Sequence, residues 1–256
     1  VSTGSAAITA AIRGAVQSDR PALVAFLTAG FPSREHFRAH LEAIASAADV
    51  VEIGVPFTDP MADGVTIQRA SQAALGAGVS LKWILKQLAE THASGAPRLL
   101  MSYLNPLLAF GLQQLPEAAA RAGVAGFIVP DLPYEESAEL GAALNARGLA
   151  LVQMVTPVTP PERQRTLSAA SQGFVYAVTM TGTTGRATAV PDEVIRYLDA
   201  VRSVAALPVC AGFGIRTREQ VERLRGHVDG VIVGSALVEC LERNEEPAKF
   251  LRALRL

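Results

Sequence analysis

The chain has 256 residues, half of them hydrophobic, and a formal net charge of −1. That length suits two ordinary domains or one α/β barrel, and the balanced charge gives no bulk electrostatic case for nucleic acid or an anionic membrane. The two cysteines, Cys210 and Cys240, lie in apolar surroundings without CxxC spacing and read as buried free thiols, in keeping with a reducing cytoplasm.

From the N-terminus, VSTGSAAITAAIRGAV predicts a short amphipathic helix, with no basic stretch ahead of an apolar block to make a signal peptide. Short apolar, β-rich runs follow at 22–29, 49–55, 98–103, 126–130, 149–155, 173–178, 207–212 and 229–234. They are apolar on both faces, as strands of a helix-covered parallel sheet must be. None of the apolar runs reaches the roughly 20 residues of a membrane-spanning helix. Between the strands lie amphipathic segments such as SREHFRAHLEAIASAA, PEAAARAG, ESAELGAALNARG, PPERQRTLSAAS, DEVIRYLDAVRS and REQVERLRG. Several open with Ser, Pro or Asp and close with Gly, the start and stop signals of helices. A βα unit recurs about every thirty residues, and no linker interrupts it. The pattern predicts one domain over 1–256, a closed (β/α)8 TIM barrel with an extra N-terminal helix. An open doubly wound sheet is the alternative; eight near-equal units favour closure.

Chemistry in such barrels gathers at the C-terminal strand ends. Glu52 sits in the second strand among Val50, Val51, Ile53 and Val55, so one of two alternating residue sets faces the interior. A carboxyl buried there has its pKa raised and is a candidate acid as well as a base, unless it serves a structural ion pair. Asp59 and Asp63 follow in FTDPMADG, where turn chemistry is the default for either alone; as a pair after a buried Glu, at least one is a functional candidate. Glycine motifs close three successive strands: TGTTG (181–185), GFG (212–214) and GSA (234–236). Backbone N–H groups at a glycine turn and a helix N-terminus fit a phosphate. The aromatic residues Phe26, Tyr103, Tyr176 and Phe213 are each core candidates, and together they can wall a flat apolar ligand. The three lysines, Lys82, Lys86 and Lys249, fall in helical segments, which argues against a Schiff-base mechanism. None of His36, His40, His92 and His227 lies at a strand end, so no histidine-ligated metal is predicted. Carboxylate acid–base chemistry on a phosphorylated small molecule remains.

VEIGVPFTDPMADG closely resembles the signature of the tryptophan synthase alpha subunits, the indole-3-glycerol-phosphate lyases. FLTAGFP, MSYLNPLLAFG, GFIVPDLPYEES, MVTPVTPPER, GTTG, GFGI and VIVGSA resemble the same family in the same order, across essentially the whole chain. The resemblance implies a TIM barrel that cleaves indole-3-glycerol phosphate to indole and glyceraldehyde 3-phosphate by a retro-aldol step, without metal or imine. It assigns Glu52 as the general acid–base and Asp63 as the carboxylate that binds the indole N–H. Phe26, Phe213, Tyr103, Tyr176 and Thr184 match positions around the substrate, and Gly185, Gly214, Gly234 and Ser235 match the phosphate cradle. Pro56 and Asp59 match loop positions that the family turns toward its partner. That partner is a beta subunit in an αββα complex, which carries the pyridoxal phosphate; no cofactor is implied in this chain. The sequence departs from the commonest pattern at Thr58, Met61, Val65 and Met180, which bears on loop closure, partner contact and rate. A stand-alone indole-releasing lyase and an allosteric subunit with little activity are the competing readings; the joint presence of Glu52 and Asp63 argues against the second.

Overall fold

The computed structural model describes residues 3–91, 95–179, 190–212 and 214–256. Eight parallel strands pair in chain order and close into a barrel: β1 (Ala22–Thr28), β2 (Val50–Gly54), β3 (Arg98–Met101), β4 (Val124–Ile128), β5 (Ala150–Val155), β6 (Val175–Val178), β7 (Val209–Gly212) and β8 (Gly230–Val233), with β8 returning to β1. All eight predicted strands are present, which decides for the closed barrel over the open sheet. The third is shorter than predicted. It ends at Met101 because Tyr103 is already the extended N-cap of a helix.

Twelve α-helices lie among the described residues: α1 (Gly4–Gln17), α2 (Phe37–Ala45), α3 (Val65–Gly76), α4 (Leu81–Ala89), α5 (Leu104–Phe110), α6 (Leu115–Arg121), α7 (Ala138–Asn145), α8 (Pro161–Ala170), α9 (Asp192–Val204), α10 (Arg218–Leu224), α11 (Ser235–Glu242) and α12 (Pro247–Leu254). None is long and apolar enough to cross a membrane. Strand alternation sorts the apolar residues into two layers. Leu23, Ala25, Leu27, Val51 and Ile53 point outward into the core shared with the helices. Val24, Val50, Leu99, Ala150, Phe174 and Cys210 fill the barrel interior.

The predicted N-terminal helix, α1, closes the N-terminal end of the barrel. Ile8 and Ile12 are fully buried against the first interior layer. The helix is fixed by the Gly4 N–H on the Gly148 carbonyl at 2.7 Å and the Thr9 hydroxyl on the Gly173 carbonyl at 2.7 Å. On the same end, Asp49 accepts the Leu23 N–H at 2.8 Å and pairs with Arg20 at 2.7 Å, and Asp229 accepts the Val209 N–H at 2.8 Å. This end is built for stability, and the opposite end is left to carry the site.

Interior glycines shape that opposite end. A Cβ on Gly54 would lie 2.5 Å from the Phe26 ring, and one on Gly212 would lie 3.0 Å from the Tyr176 ring. Two aromatic rings therefore lie in space that the missing side chains leave open.

Candidate active site

The alternation in β2 turns Val50, Glu52 and Gly54 inward and Val51 and Ile53 outward. Glu52 stands in register with Phe26 of β1 and Leu99 of β3. It is wholly buried, and among the described residues neither carboxyl oxygen has a hydrogen-bond partner. Burial, reinforced by the nearby Asp63 charge, pushes its pKa up to about 8. The structural ion pair weighed from the sequence is therefore absent among the described residues. At neutral pH Glu52 holds its proton and, among the described residues, has no group to give it to.

Asp63 lies on the loop between β2 and α3, half-buried at the same end of the barrel. Burial raises its pKa to about 6, against the opposing effect of a hydrogen bond from Tyr103. At pH 7 the two carboxyl groups are thus in opposite states, Glu52 an acid and Asp63 an anion, an arrangement that can do both acid and anion chemistry with one kind of group. The Tyr103 phenol joins the loop at two points. Its oxygen accepts the Ala62 N–H at 2.9 Å, and its proton goes to Asp63. Burial and then the Asp63 charge raise the phenol to about 12, so it remains a donor. Phe57 stacks on its ring with centroids 5.0 Å apart. The loop is further held by Gln68, whose side-chain amide donates to the Asp63 carbonyl at 2.9 Å. The family resemblance puts Tyr103 beside the substrate; in the structure its phenol holds the loop that carries Asp63.

The other predicted residues fall as follows. Phe26 is inward and buried beside Glu52. Tyr176 is half-buried in the barrel; burial and then the Glu52 charge raise its phenol well above the ordinary value. Gly214 has φ +68°, in the left-handed region that favours glycine, with open space where a Cβ would sit. Gly234 is the N-cap of α11 and Ser235 its first residue, so the helix N-terminus, with no side-chain cap, lies at the C-terminal end of β8. Asp59 is exposed, whereas Pro56 is buried beneath its own loop. Thr184, Gly185 and Phe213 lie outside the described residues. One residue escaped the sequence reading. Thr28 continues the inward face of β1 above Phe26, is 1 % exposed, and its hydroxyl has no partner among the described residues. The alternation of β1 was the signal that marked it. Among the described residues no group of three or more His, Cys, Asp or Glu is placed to hold a metal.

Fold and site together define a (β/α)8-barrel enzyme of the carboxyl acid–base class. The comparisons with known proteins narrow this. The family model described as "Tryptophan synthase alpha chain" matches residues 12–255. The tryptophan synthase alpha chain of Nitratidesulfovibrio vulgaris strain DP4 is 46 % identical over 94 % of this chain and 95 % of its own length, and that of Bacillus mycoides is 43 % identical over 95 % and 96 %. Mycobacterium tuberculosis tryptophan synthase superposes with a TM-score of 0.89 at 34 % identity, covering 96 % of each chain. The alpha subunit from Legionella pneumophila gives 0.87 at 28 % identity over 99 % of this chain and 97 % of that one. The chain belongs to the tryptophan synthase alpha chain family. It is an enzyme of the lyase kind that cleaves indole-3-glycerol phosphate.

Proposed function

We propose that this single-domain barrel cleaves indole-3-glycerol phosphate with Glu52 as general acid–base and Asp63 as the anion beside the indole nitrogen. Glu52, protonated at rest, gives its proton to C3 of the indole. The ring becomes an indolenine cation, and Asp63 accepts the N1–H and stabilises that charge in a low-dielectric site. The carboxylate left on Glu52 then takes the proton from the hydroxyl on the carbon attached to C3. As that hydroxyl becomes the aldehyde of glyceraldehyde 3-phosphate, the C3–C bond breaks and its electron pair restores the aromatic ring as indole. The proton count closes, and Glu52 ends as it began. The glycine at 214 and the α11 terminus at Gly234 and Ser235 receive the phosphate, Phe26 and Tyr176 wall the ring, and the family resemblance assigns substrate binding to Thr184, Gly185 and Phe213 as well.

The observation that carries this reading is Glu52 itself: a wholly buried carboxyl on the inward face with both oxygens unpartnered among the described residues. An orphan buried carboxyl costs stability, and a reaction that exchanges its proton gives a reason to keep it. In the cell we place the chain in the cytoplasm, in an αββα complex with a beta subunit that holds the pyridoxal phosphate, with Asp59 on the loop facing that partner. The test is indole release by the purified chain, alone and with a beta subunit, for the native protein and Glu52→Gln. The expected result is slow turnover alone, a rise with the partner, and a loss of about 10²- to 10⁴-fold in the variant, the range of a general acid–base. No indole in either condition overturns the assignment.

A further inference from the structure

The helix that opens at Ser235 and the loop that carries Asp63 lie at separate points of the chain, yet one side chain spans them. Glu239, a turn into α11 from Ser235, accepts both guanidinium nitrogens of Arg216 at 2.7 and 2.9 Å. The same carboxylate accepts the hydroxyl of Thr66 at 3.3 Å. Arg216 lies on the segment after β7, two residues beyond Gly214, and that segment is itself braced: the Arg216 and Thr217 N–H groups both donate to the Gln220 side chain, at 2.7 and 3.1 Å. Thr66 is in the first turn of α3, three residues after Asp63. Beneath this polar contact Ala70 and Val238, both fully buried, join α3 to α11 through Phe26 and Ile67. One turn further out Arg69 pairs with Glu242 at 2.5 Å.

We propose that Glu239 is a positioning residue that locks the phosphate end of the site to the loop carrying Asp63. The inference rests on the reading of Gly214, Gly234 and Ser235 as the phosphate end and of Asp63 as the anion beside the ring. Glu239 belongs to α11, and its two partners, Arg216 and Thr66, come from the β7 segment and α3, so one carboxylate joins the three segments that those two functions need. Exposed ion pairs add little stability singly. A bidentate, three-way contact instead fixes geometry: a phosphate that settles α11 and the β7 segment also settles the first turn of α3, and with it Asp63. Binding energy from the part of the substrate that does not react is thereby used to orient the part that does.

The experiment compares the native chain with Thr66→Val, Glu239→Gln and Glu242→Gln. Thr66→Val removes one arm of the contact and leaves the Arg216 pair intact; Glu242→Gln breaks only the outer contact between the same helices. The readouts are kcat and KM for indole-3-glycerol phosphate, the dissociation constant of indole with and without saturating inorganic phosphate, and Tm. In the native chain phosphate tightens indole, a coupling between two ends of one site. In Thr66→Val and Glu239→Gln that tightening falls toward onefold and kcat drops by about tenfold, with KM changed far less and folding retained. Glu242→Gln keeps both kcat and the coupling. Independent binding of indole and phosphate to the native chain, or a coupling that survives both central variants, overturns the inference, as do equal losses in Glu242→Gln, which would make this ordinary helix packing. A native chain that releases no indole at all fails at the prior step and overturns the reading of the site together with the inference.

Discussion

Glu52 is held in a position that is unfavourable for its charged form, and that has a measurable sign. Its native pKa, about 8, lies above the 4.5 of an ordinary glutamate, so between those values the folded state binds a proton that the unfolded chain has released. Stability carried by this group is therefore present at low pH and lost as pH rises through 8. Glu52→Gln abolishes the penalty. The variant is expected to melt above the native protein at pH 8.5, by up to about 5 kcal/mol at 1.36 kcal/mol per pKa unit, with the gap narrowing toward pH 5; thermal denaturation at the two pH values checks it. Activity is expected to follow a bell, rising as Asp63 ionises near 6 and falling as Glu52 loses its proton near 8. Tyr103→Phe removes the proton that Asp63 receives, so the acid limb of the kcat/KM profile should move upward by as much as about one unit, with a larger loss at pH 6 than at pH 7. An unmoved limb would show that the phenol does not set the state of Asp63. None of this contact was legible in the sequence: Tyr103 and Ala62 are 41 positions apart, and no local pattern links them.

At the scale of elements, the strands were legible because buried parallel strands must be apolar on both faces. The same property hid their orientation. In β2 both alternating sets are largely apolar, so the sequence left open which one meets the interior. The closed barrel decides it, because Val51 and Ile53 are needed against the helices while Val50, Glu52 and Gly54 line the inside. The ends of elements were less legible, since Ser102 and Tyr103 continue the run of β3 in composition but serve as the lead into α5. Glycines explain a further part. Gly54 and Gly212 look like strand-end turn residues, and their importance lies instead in the rings of Phe26 and Tyr176 that approach them. Gly54→Ala places a methyl carbon 2.5 Å from the Phe26 ring, so the ring must turn toward the substrate space. The expected outcome is a KM raised by about tenfold or more, with a stability loss of about 1–3 kcal/mol from overpacking; steady-state kinetics beside a denaturant titration separate the two.

The whole molecule divides its labour between its two ends. The end closed by α1 carries the fixed polar clamps, of which Asp49 is the most heavily used: it serves Arg20, the Leu23 N–H and Arg255. Burial pushes its pKa up, but these partners outweigh burial and hold it below the usual 3.8. Its contribution is thus present above that value and lost as pH falls through the lower native one. Asp49→Ala is expected to cost about 1–3 kcal/mol at pH 7, the cost of leaving buried donors without an acceptor, and to cost progressively less below pH 4. Activity per folded molecule should not change, because nothing at that end reaches the mouth.

The plug formed by Ile8 and Ile12 also bears on where protons can enter. Below Glu52, among the described residues, the interior is packed with buried apolar side chains, none of which offers a hydroxyl to carry a proton from that carboxyl through the floor. The mouth is then the door for both the substrate and the proton. While a substrate fills it, the proton that Glu52 gives to the ring and the proton it takes back are sealed inside the same small compartment. In heavy water the substrate's hydroxyl enters already deuterated, so each turnover leaves a deuteron on Glu52, and the next indole released carries it at C3.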